Sequence, residues 1–296
     1  MKELTVISGK GGTGKTSIVA SFASLAQNKV IADCDVDAAD LHLILAPRVL
    51  SRERFIGGRD VRILPGHCTA CGKCEEICRF EAIYFDGPGN GSVPRTYRVD
   101  PFACEGCGVC AHFCAEGAIE SKEAQNGEWF ISDTSYGPMV HARLFAAQEN
   151  SGKLVSLVRK EARQLAKERG HELMLVDGSP GLGCPVIASV TGTDFVLIVT
   201  EPTLSGKHDL ERVLSLTKHF GVSSAICVNK FDLNLEMTEA IEESARASGT
   251  APLARVGYDP AVTKAQIAGK PVVEYTQGAV TKQIEALWQE VLNKMA

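Results

Sequence analysis

Short apolar segments alternate with amphipathic ones along much of the chain. Mostly apolar runs of four or five residues, typical of strands buried on both faces, occur at 4–8, 30–33, 173–176, 195–199 and 225–228. Segments with apolar residues at helical spacing occur at 15–27, 153–169, 207–219 and 235–247. This alternation predicts an α/β fold in which helices cover both faces of a mostly parallel sheet.

The alternation is interrupted in the middle of the chain. Residues 58–133 are rich in Cys, Gly and Pro, and the stretches 68–83 and 104–119 within them repeat each other. We therefore predict a discontinuous α/β domain made of residues 1–57 and 134–296, with residues 58–133 inserted as a small separate domain. A last amphipathic stretch, 281–296, is expected to be a helix that docks on the core.

Composition narrows the classes of function. The 296 residues are 45% hydrophobic and 23% charged, which is typical of a globular chain with a full core. A net charge of −5 argues against a nucleic-acid partner, which needs excess Lys and Arg. Stable membrane association is not expected either, since no apolar run approaches 18 residues. The N-terminal residues resemble a strand and not a secretory signal, so we expect a cytoplasmic protein.

A glycine-rich loop follows the first predicted strand. Residues 9–16, Gly-Lys-Gly-Gly-Thr-Gly-Lys-Thr, match the G-x-x-x-x-G-K-[ST] pattern between a strand and a helix. Successive backbone N–H groups of such a loop face phosphates at the positive end of the helix. Lys15 is expected to contact the β- and γ-phosphates, and the Thr16 hydroxyl is expected to coordinate Mg²⁺. The predicted nucleotide-binding residues are Gly11, Gly12, Thr13, Gly14, Lys15, Thr16 and Ser17.

A second lysine in the loop makes the pattern more specific. With Lys10, the loop resembles the deviant Walker A motif of the MinD/ParA/Mrp and nitrogenase iron-protein group of P-loop NTPases. The resemblance implies an ATPase whose two protomers enclose two ATP molecules, with Lys10 acting on the partner's nucleotide. It implies that Asp35 lies near the attacking water and Mg²⁺, and that Asp177, at the end of a Walker B strand, holds Mg²⁺ through water. The alternative is that Lys10 only adds positive charge near its own phosphates.

The sequence is compatible with two nucleotide bases, adenine and guanine. Residues 229–232, Asn-Lys-Phe-Asp, follow an apolar strand and match N-K-x-D, in which an Asp reads guanine. The resembling family uses ATP and places an Asn against adenine at this strand end. We therefore expect ATP, with Asn229 as a base-binding residue, and keep GTP as the alternative.

Eleven cysteines without an export signal point to metal ligation and not to disulfides. Eight of them form two copies of C-x2-C-x2-C-x3-C, which resembles the bacterial ferredoxin pattern for two [4Fe–4S] clusters. The resemblance implies an α+β ferredoxin-like insert in which the fourth cysteine of each copy ligates the other cluster. Cluster 1 would then use Cys68, Cys71, Cys74 and Cys114, and cluster 2 would use Cys104, Cys107, Cys110 and Cys78. Zinc is the competing metal.

Three classes of function fit this combination. The first is an ATP-binding and ATP-hydrolysing electron carrier, a homodimer when ATP-bound, that passes electrons through its two clusters to an unknown redox protein. The second is an iron–sulfur cluster carrier that loads an acceptor protein, for which a second cysteine near Cys184 would be expected. The third is a MinD-like spatial-organisation ATPase with redox-sensing clusters. Eight cysteines that can hold stable clusters favour electron transfer.

Overall fold

The computed structural model describes residues 1–145 and 150–296. Its strands are β1 Lys2–Ser8, β2 Lys29–Asp33, β3 Arg48–Ile63, β4 Ile83–Gly87, β5 Thr96–Val99, β6 Ile119–Thr134, β7 Gly137–Leu144, β8 Leu173–Pro180, β9 Phe195–Thr200, β10 Ser224–Asn229 and β11 Ala251–Val256. Its α-helices are α1 Lys15–Leu25, α2 Leu41–Leu45, α3 Lys73–Glu76, α4 Val109–His112, α5 Ser151–Arg169, α6 Cys184–Val190, α7 Leu204–His219, α8 Leu235–Ala247, α9 Pro260–Ile267, α10 Val272–Tyr275 and α11 Ala279–Met295.

Two compact units make up the chain. The first unit comprises Met1–Glu53, Glu128–Arg143 and Ser151–Ala296, and the second comprises Arg54–Gly127 with a short stretch that begins at Leu144. Two of the boundaries fall inside β3 and β6, each of which is 16 residues long, so neither of these two coincides with a turn. The sequence placed the boundaries at residues 58 and 133, where the composition changes.

A parallel sheet forms the centre of the first unit. The strand order of the nine-stranded sheet is β11-β10-β9-β1-β8-β2-β7-β6-β3. The pairings β10–β11, β9–β10, β1–β9, β1–β8, β2–β8 and β2–β7 are all parallel. Parallel strands bring their carboxyl ends to one edge, and in sheets of this class ligands bind there.

Both faces of this sheet are covered, as predicted. Val6 of β1 packs with residues of α1 and α11, whereas the next residue, Ile7, packs with residues of α6, α7 and α8. Successive side chains of a strand point to opposite faces, so a continuous apolar strand needs apolar partners on each side. The predicted α/β fold with a mostly parallel sheet is confirmed.

The C-terminal helix α11 packs on this core. Its side chains Ile284, Leu287, Trp288 and Val291 are buried, and the Trp288 ring lies 4.8 Å from that of Phe22, centroid to centroid. The expected docking on the core is therefore observed, except that Leu292, at the edge of the apolar face, stays partly exposed.

The second unit is small and rich in turns. Strands β4 and β5 pair antiparallel as a hairpin, and α3 and α4 are single helical turns. Its core combines aliphatic residues such as Ile63, Ile83 and Ile119 with cysteines of both runs. A glycine with positive φ immediately precedes each helical turn, and these two residues, Gly72 and Gly108, are equivalent positions of the sequence repeat. The duplication seen in the sequence is thus repeated in the backbone.

Candidate nucleotide site and cysteine cluster

The glycine-rich loop joins the carboxyl end of β1 to the N-terminus of α1. Gly14 precedes the first helical residue and has a φ of 88°, in the left-handed region that favours glycine. A Cβ at this position would lie 2.2 Å from Asn229 Nδ2, so a larger residue would displace the asparagine. The loop therefore places unpaired helical N–H groups at the sheet edge, where an anion can bind.

A buried group of opposite charges lies behind the loop. Lys15 Nζ contacts Asp177 Oδ1 and lies 3.3 Å from Asp35 Oδ2. Burial alone would lower the pKa of Lys15, but the charges of Asp177 and Asp35 outweigh it and raise that pKa. Burial raises the pKa of Asp35 to about 6, against the lowering effect of Lys15. Asp33, fully buried beside the other two carboxyls, also has a raised pKa for the same reason.

Several buried oxygens of this group have no hydrogen-bond partner. They are Thr13 Oγ1, Asp33 Oδ2, Asp35 Oδ1 and Asp177 Oδ2. Buried polar atoms are almost always paired, and unpaired ones in a native structure indicate a missing ligand, ion or water. Carboxylate and hydroxyl oxygens are the ligands that Mg²⁺ prefers. The residues present therefore fit a hydrated magnesium ion and a phosphate group.

One cavity of about 620 Å³ gathers the predicted nucleotide-binding residues. This volume is within the usual range for a small-molecule site. The residues that line it include Gly11, Gly12, Thr13, Gly14, Lys15, Thr16, Ser17, Asp35 and Asn229. Asp177 is instead fully buried and reaches the site through Lys15.

The second lysine of the loop, Lys10, is not among the residues that line this cavity. Lys10 Nζ lies 2.7 Å from Glu201 Oε1 and donates hydrogen bonds to Thr203 Oγ1 and Ser205 Oγ. Its neighbours are thus the end of β9 and the first turn of α7. The structure brings Lys15, Asp35 and Asp177 together but leaves Lys10 on a separate set of contacts.

The end of β10 carries the side chains that resemble a guanine-reading motif. Asn229 Nδ2 donates to the Thr13 carbonyl oxygen at 2.7 Å and lines the cavity. Asp232 Oδ1 instead accepts a hydrogen bond from the Tyr258 backbone N–H at 2.7 Å, and Asp232 is not among the cavity-lining residues. This asparagine therefore belongs to the site, whereas the aspartate supports the loop after β11.

Six residues of that loop and of α9 line the cavity, and none of them was predicted from the sequence. They are Gly257, Tyr258, Asp259, Val262, Thr263 and Gln266. Gln266 also donates to Ser17 Oγ, which joins α9 to α1. The residues carry no spacing motif, and the Gly-Tyr-Asp-Pro turn before α9 is the signal that could have indicated them.

The cysteines of the two runs meet in the second unit. Cys68, Cys71, Cys74 and Cys114 line one cavity, together with Tyr97, apolar residues and the polar side chains of Thr69, Lys73 and Glu116. Burial raises the pKa of Cys74 to about 11, and it also raises the pKa values of Cys104 and Cys110. The negative charges of Cys107 and Cys78 contribute to the shifts of Cys104 and Cys110, so these thiols too share one neighbourhood.

Thiols gathered around one cavity are soft donors, a type that both zinc and iron–sulfur clusters take. Within the described residues, no three His, Cys, Asp or Glu side chains are placed closely enough to hold a metal ion. The chemistry of the donors therefore fits either group, and metal analysis distinguishes the two.

The three remaining cysteines lie in the first unit. Cys34 and Cys227 are fully buried among strands, whereas Cys184 is exposed at the start of α6. Burial raises the pKa of Cys227 to about 12 and that of Cys34 well above its usual range, which is typical of core thiols.

Comparisons with known proteins agree with this geometry. A model of the CobQ/CobB/MinD/ParA nucleotide binding domain family matches residues 4–272. The chain belongs to this family. Uncharacterized protein MJ0578 of Methanocaldococcus jannaschii is 32% identical over 235 residues, which are 78% of this chain and 79% of that protein.

Solved structures of the MinD/ParA group share the fold. The cell division ATPase MinD of Pyrococcus furiosus matches with a TM-score of 0.60 and 18% identity, over 100% of this chain and 99% of that one. The septum site-determining protein MinD of Pyrococcus horikoshii, complexed with Mg-ADP, matches with a TM-score of 0.60 and 16% identity, over 100% and 98% of the two chains. The predicted MinD/ParA-type nucleotide-binding fold is therefore confirmed. The ferredoxin-like insert and its clusters stay predictions.

Among the helices of this MinD/ParA-group protein that the structure describes, none is long and apolar enough to cross a bilayer.

Replacing Asp232 by Asn should leave the preference between ATP and GTP within about twofold of the wild type, because Asn keeps the oxygen that accepts the Tyr258 N–H. Competition binding of ATP and GTP to the purified protein measures this preference. The matched Asn229→Ala variant removes the contact to Thr13 and should weaken both nucleotides. A GTP affinity that falls more than about tenfold in Asp232→Asn alone would mean that Asp232 reads guanine.

Proposed function

We propose that the protein is an ATPase that couples ATP-driven homodimerisation to electron transfer through two [4Fe–4S] clusters. The observation that carries the proposal is the cavity shared by Cys68, Cys71, Cys74 and Cys114. Three of these cysteines come from the first run and the fourth from the second. That exchange of the fourth ligand between runs is the pattern of two-cluster ferredoxins.

The proposed ATP binding and hydrolysis are supported by the glycine-rich loop and by the buried aspartates behind it. Thr16, Asp35 and Asp177 are proposed to hold Mg²⁺, directly or through water, because they combine a hydroxyl at the loop with unpaired buried carboxylate oxygens. Magnesium would neutralise charge on the phosphates. Lys15 would move from the carboxylates to the β- and γ-phosphates, and Asp35 would orient the attacking water as a catalytic residue.

The base is proposed to be adenine. Asn229 lines the cavity, while Asp232, the residue that would read guanine, is occupied by a backbone N–H of its own chain. Gln266 and the loop around Tyr258 would enclose the base.

Homodimerisation is proposed from Lys10. Its ammonium lies outside the cavity of its own chain, whereas Lys15 and the loop amides already face the site where phosphates bind. In a two-fold dimer each protomer presents the same patch, so each Lys10 could serve the partner's nucleotide as a further catalytic residue. ATP would then form part of the interface.

Clusters of this kind supply electron transfer when bound, and the chain's part is to hold them and to shield them from water. Cys68 and Cys110 are buried, whereas Cys71 and Cys107 are exposed. Each proposed set thus combines buried and exposed ligands, so an outside redox protein can approach the clusters. Residues 68–120 carry eight acidic and four basic side chains, which favours a basic partner.

Anaerobically purified protein should contain about eight irons and eight acid-labile sulfides per chain, because each of the two ligand sets fits one cubane. Iron and sulfide analysis with electron paramagnetic resonance of the reduced protein checks this. A Cys114→Ser variant should lose signal from cluster 1, and a Cys184→Ser variant is the matched control with eight irons retained. Two zinc ions without sulfide would contradict the proposal.

The role in electron transfer is tested by a redox titration with and without ATP. If ATP binding gates electron transfer, the cluster potentials should shift when ATP is bound. If the cluster potentials are the same with and without ATP, and iron and sulfide pass to an apo-acceptor protein, the results would favour a cluster carrier instead.

A further inference from the structure

A single carboxylate connects two lysines beside the glycine-rich loop. Glu201, the first residue after β9, lies 2.7 Å from Lys10 Nζ through Oε1 and 2.9 Å from Lys230 Nζ through Oε2. The Glu201 side chain is 17% exposed, and each lysine side chain is 27% exposed, so the three charges are only partly screened by water. The lysines hold the pKa of Glu201 below its usual range against the effect of burial.

The ammonium group of Lys10 is fully engaged within its own chain. A lysine has three N–H donors and no acceptor. Here the partners are Glu201, the Thr203 hydroxyl at 3.1 Å and the Ser205 hydroxyl at 2.9 Å. Thr203 is itself fixed, because its hydroxyl caps α7 by accepting the Gly206 N–H. Lys10 therefore cannot reach a phosphate without giving up one or more of these contacts.

The second carboxylate oxygen of Glu201 is connected to the glycine-rich loop through Lys230. Lys230 Nζ donates to the Gly12 carbonyl oxygen at 2.9 Å as well as to Glu201. Glu201 thus keeps one charged partner when Lys10 leaves. Release of Lys10 would not leave a buried carboxylate without a counter-ion, which would be costly.

We propose that Glu201 is a positioning residue that holds Lys10 in its own subunit, so that dimerisation requires Lys10 to pass from Glu201 to the partner's nucleotide. This inference rests on the proposed function, in which Lys10 acts across the interface. A two-fold dimer contains two such exchanges, and each one opposes association. The contact keeps nucleotide-free chains apart and makes ATP the condition for pairing.

The inference predicts a gain of association in Glu201→Gln. Glutamine keeps the shape and can accept a hydrogen bond, but it removes the charge that attracts Lys10. With the nonhydrolysable analogue AMPPNP, the dimer dissociation constant from sedimentation velocity should fall about tenfold, which corresponds to about 1.4 kcal/mol. AMPPNP affinity of the dilute monomer should stay near the wild-type value. A merely structural role of Glu201 would weaken the dimer and would not strengthen it.

Two further variants make the result specific. Glu242→Gln is the matched control, because Glu242 also bridges two basic side chains, Arg246 and Arg255, and does not line the nucleotide cavity. It should leave the dimer constant unchanged. Ser205→Ala removes an uncharged hydroxyl that accepts a hydrogen bond from the Lys10 ammonium and leaves Glu201 in place, so it should strengthen the dimer about two- to threefold.

The contrary outcomes are distinct. If Glu201→Gln dimerises as weakly as the wild type, or more weakly, with AMPPNP bound, Glu201 does not restrain Lys10. If Glu201→Gln fails to bind AMPPNP, Ser205→Ala decides, and an unchanged dimer constant there overturns the inference. If Lys10→Ala keeps a wild-type dimer, the action of Lys10 on the partner's nucleotide is itself wrong, whatever Glu201 does.

Discussion

Replacement of Lys15 by Ala should lower the affinity for ATP by at least about 100-fold. The ammonium is buried and belongs to the loop that encloses the cavity, and it contacts Asp35, Asp177 and the Thr16 hydroxyl, none of which is basic. Hydrogen bonds to charged groups contribute about 1.5–3 kcal/mol each, and the β- and γ-phosphates would each lose the hydrogen bond from the Lys15 ammonium. Equilibrium binding of ATP, measured by calorimetry, checks the loss.

The same substitution should also destabilise the protein, so the fold must be measured beside the affinity. Without Lys15, buried carboxylates lose their counter-ion, and breaking such a pair costs about 3–5 kcal/mol. Both tryptophans, Trp129 and Trp288, lie in the first unit, so their fluorescence reports its unfolding.

Two variants separate charge from stability. Lys29→Ala is the matched control, since Lys29 is also buried but lies at the opposite end of β2 and donates to the Ala26 carbonyl. It should retain ATP binding. Lys15→Arg keeps a positive charge and should preserve the fold better than Lys15→Ala. Wild-type ATP affinity in folded Lys15→Ala would remove this lysine from the site.

Asp35→Ala should bind ATP but hydrolyse it about 100-fold more slowly. Asp35 lines the cavity and has one unpaired buried oxygen, which suits a residue that orients a water molecule. Positioned acid–base groups contribute about 10²–10⁴-fold to rate. Lys15 keeps Asp177 as its partner in this variant, so the loop should stay ordered. Phosphate release at saturating ATP measures turnover, and calorimetry measures binding.

The control for this change is Asp133→Ala. Asp133 is also a carboxylate of the first unit, but it is partly exposed, pairs with Arg48 and Arg169 and lies outside the cavity lining. Its removal should change neither binding nor turnover. Turnover at the wild-type rate in Asp35→Ala would show that the catalytic assignment is wrong. Loss of ATP binding in this variant would show that Asp35 is needed to bind the nucleotide.

Most of the residues that the sequence proposes for the nucleotide site lie at one edge of the sheet because they follow recognisable strands. Asp33, Asp177 and Asn229 each end a continuous apolar run, and parallel strands bring such ends to one edge. The predicted helix at 235–247 matches α8, since its apolar spacing is regular. At these positions the apolar runs and the helical spacing in the sequence match the strands and the helix of the structure.

Contacts between distant parts of the chain could not be predicted from local sequence patterns. Glu201, Lys10 and Lys230 come from three separate connections, and no spacing in the sequence relates them. Strands β3 and β6 were not predicted either, because glycines and charged residues interrupt any alternation along them. The N-K-x-D match was ambiguous since a side chain can serve a ligand or its own backbone, and only the fold decides which.

The position of β3 bears on how copies of this protein can meet. It lies at one end of the strand order, and seven of its sixteen residues are charged: Arg48, Arg52, Glu53, Arg54, Arg59, Asp60 and Arg62. An outer strand offers unpaired N–H and C=O groups to any strand that adds to it, and charged side chains discourage such addition. End-to-end joining of sheets into filaments is therefore disfavoured at this strand, even at high protein concentration.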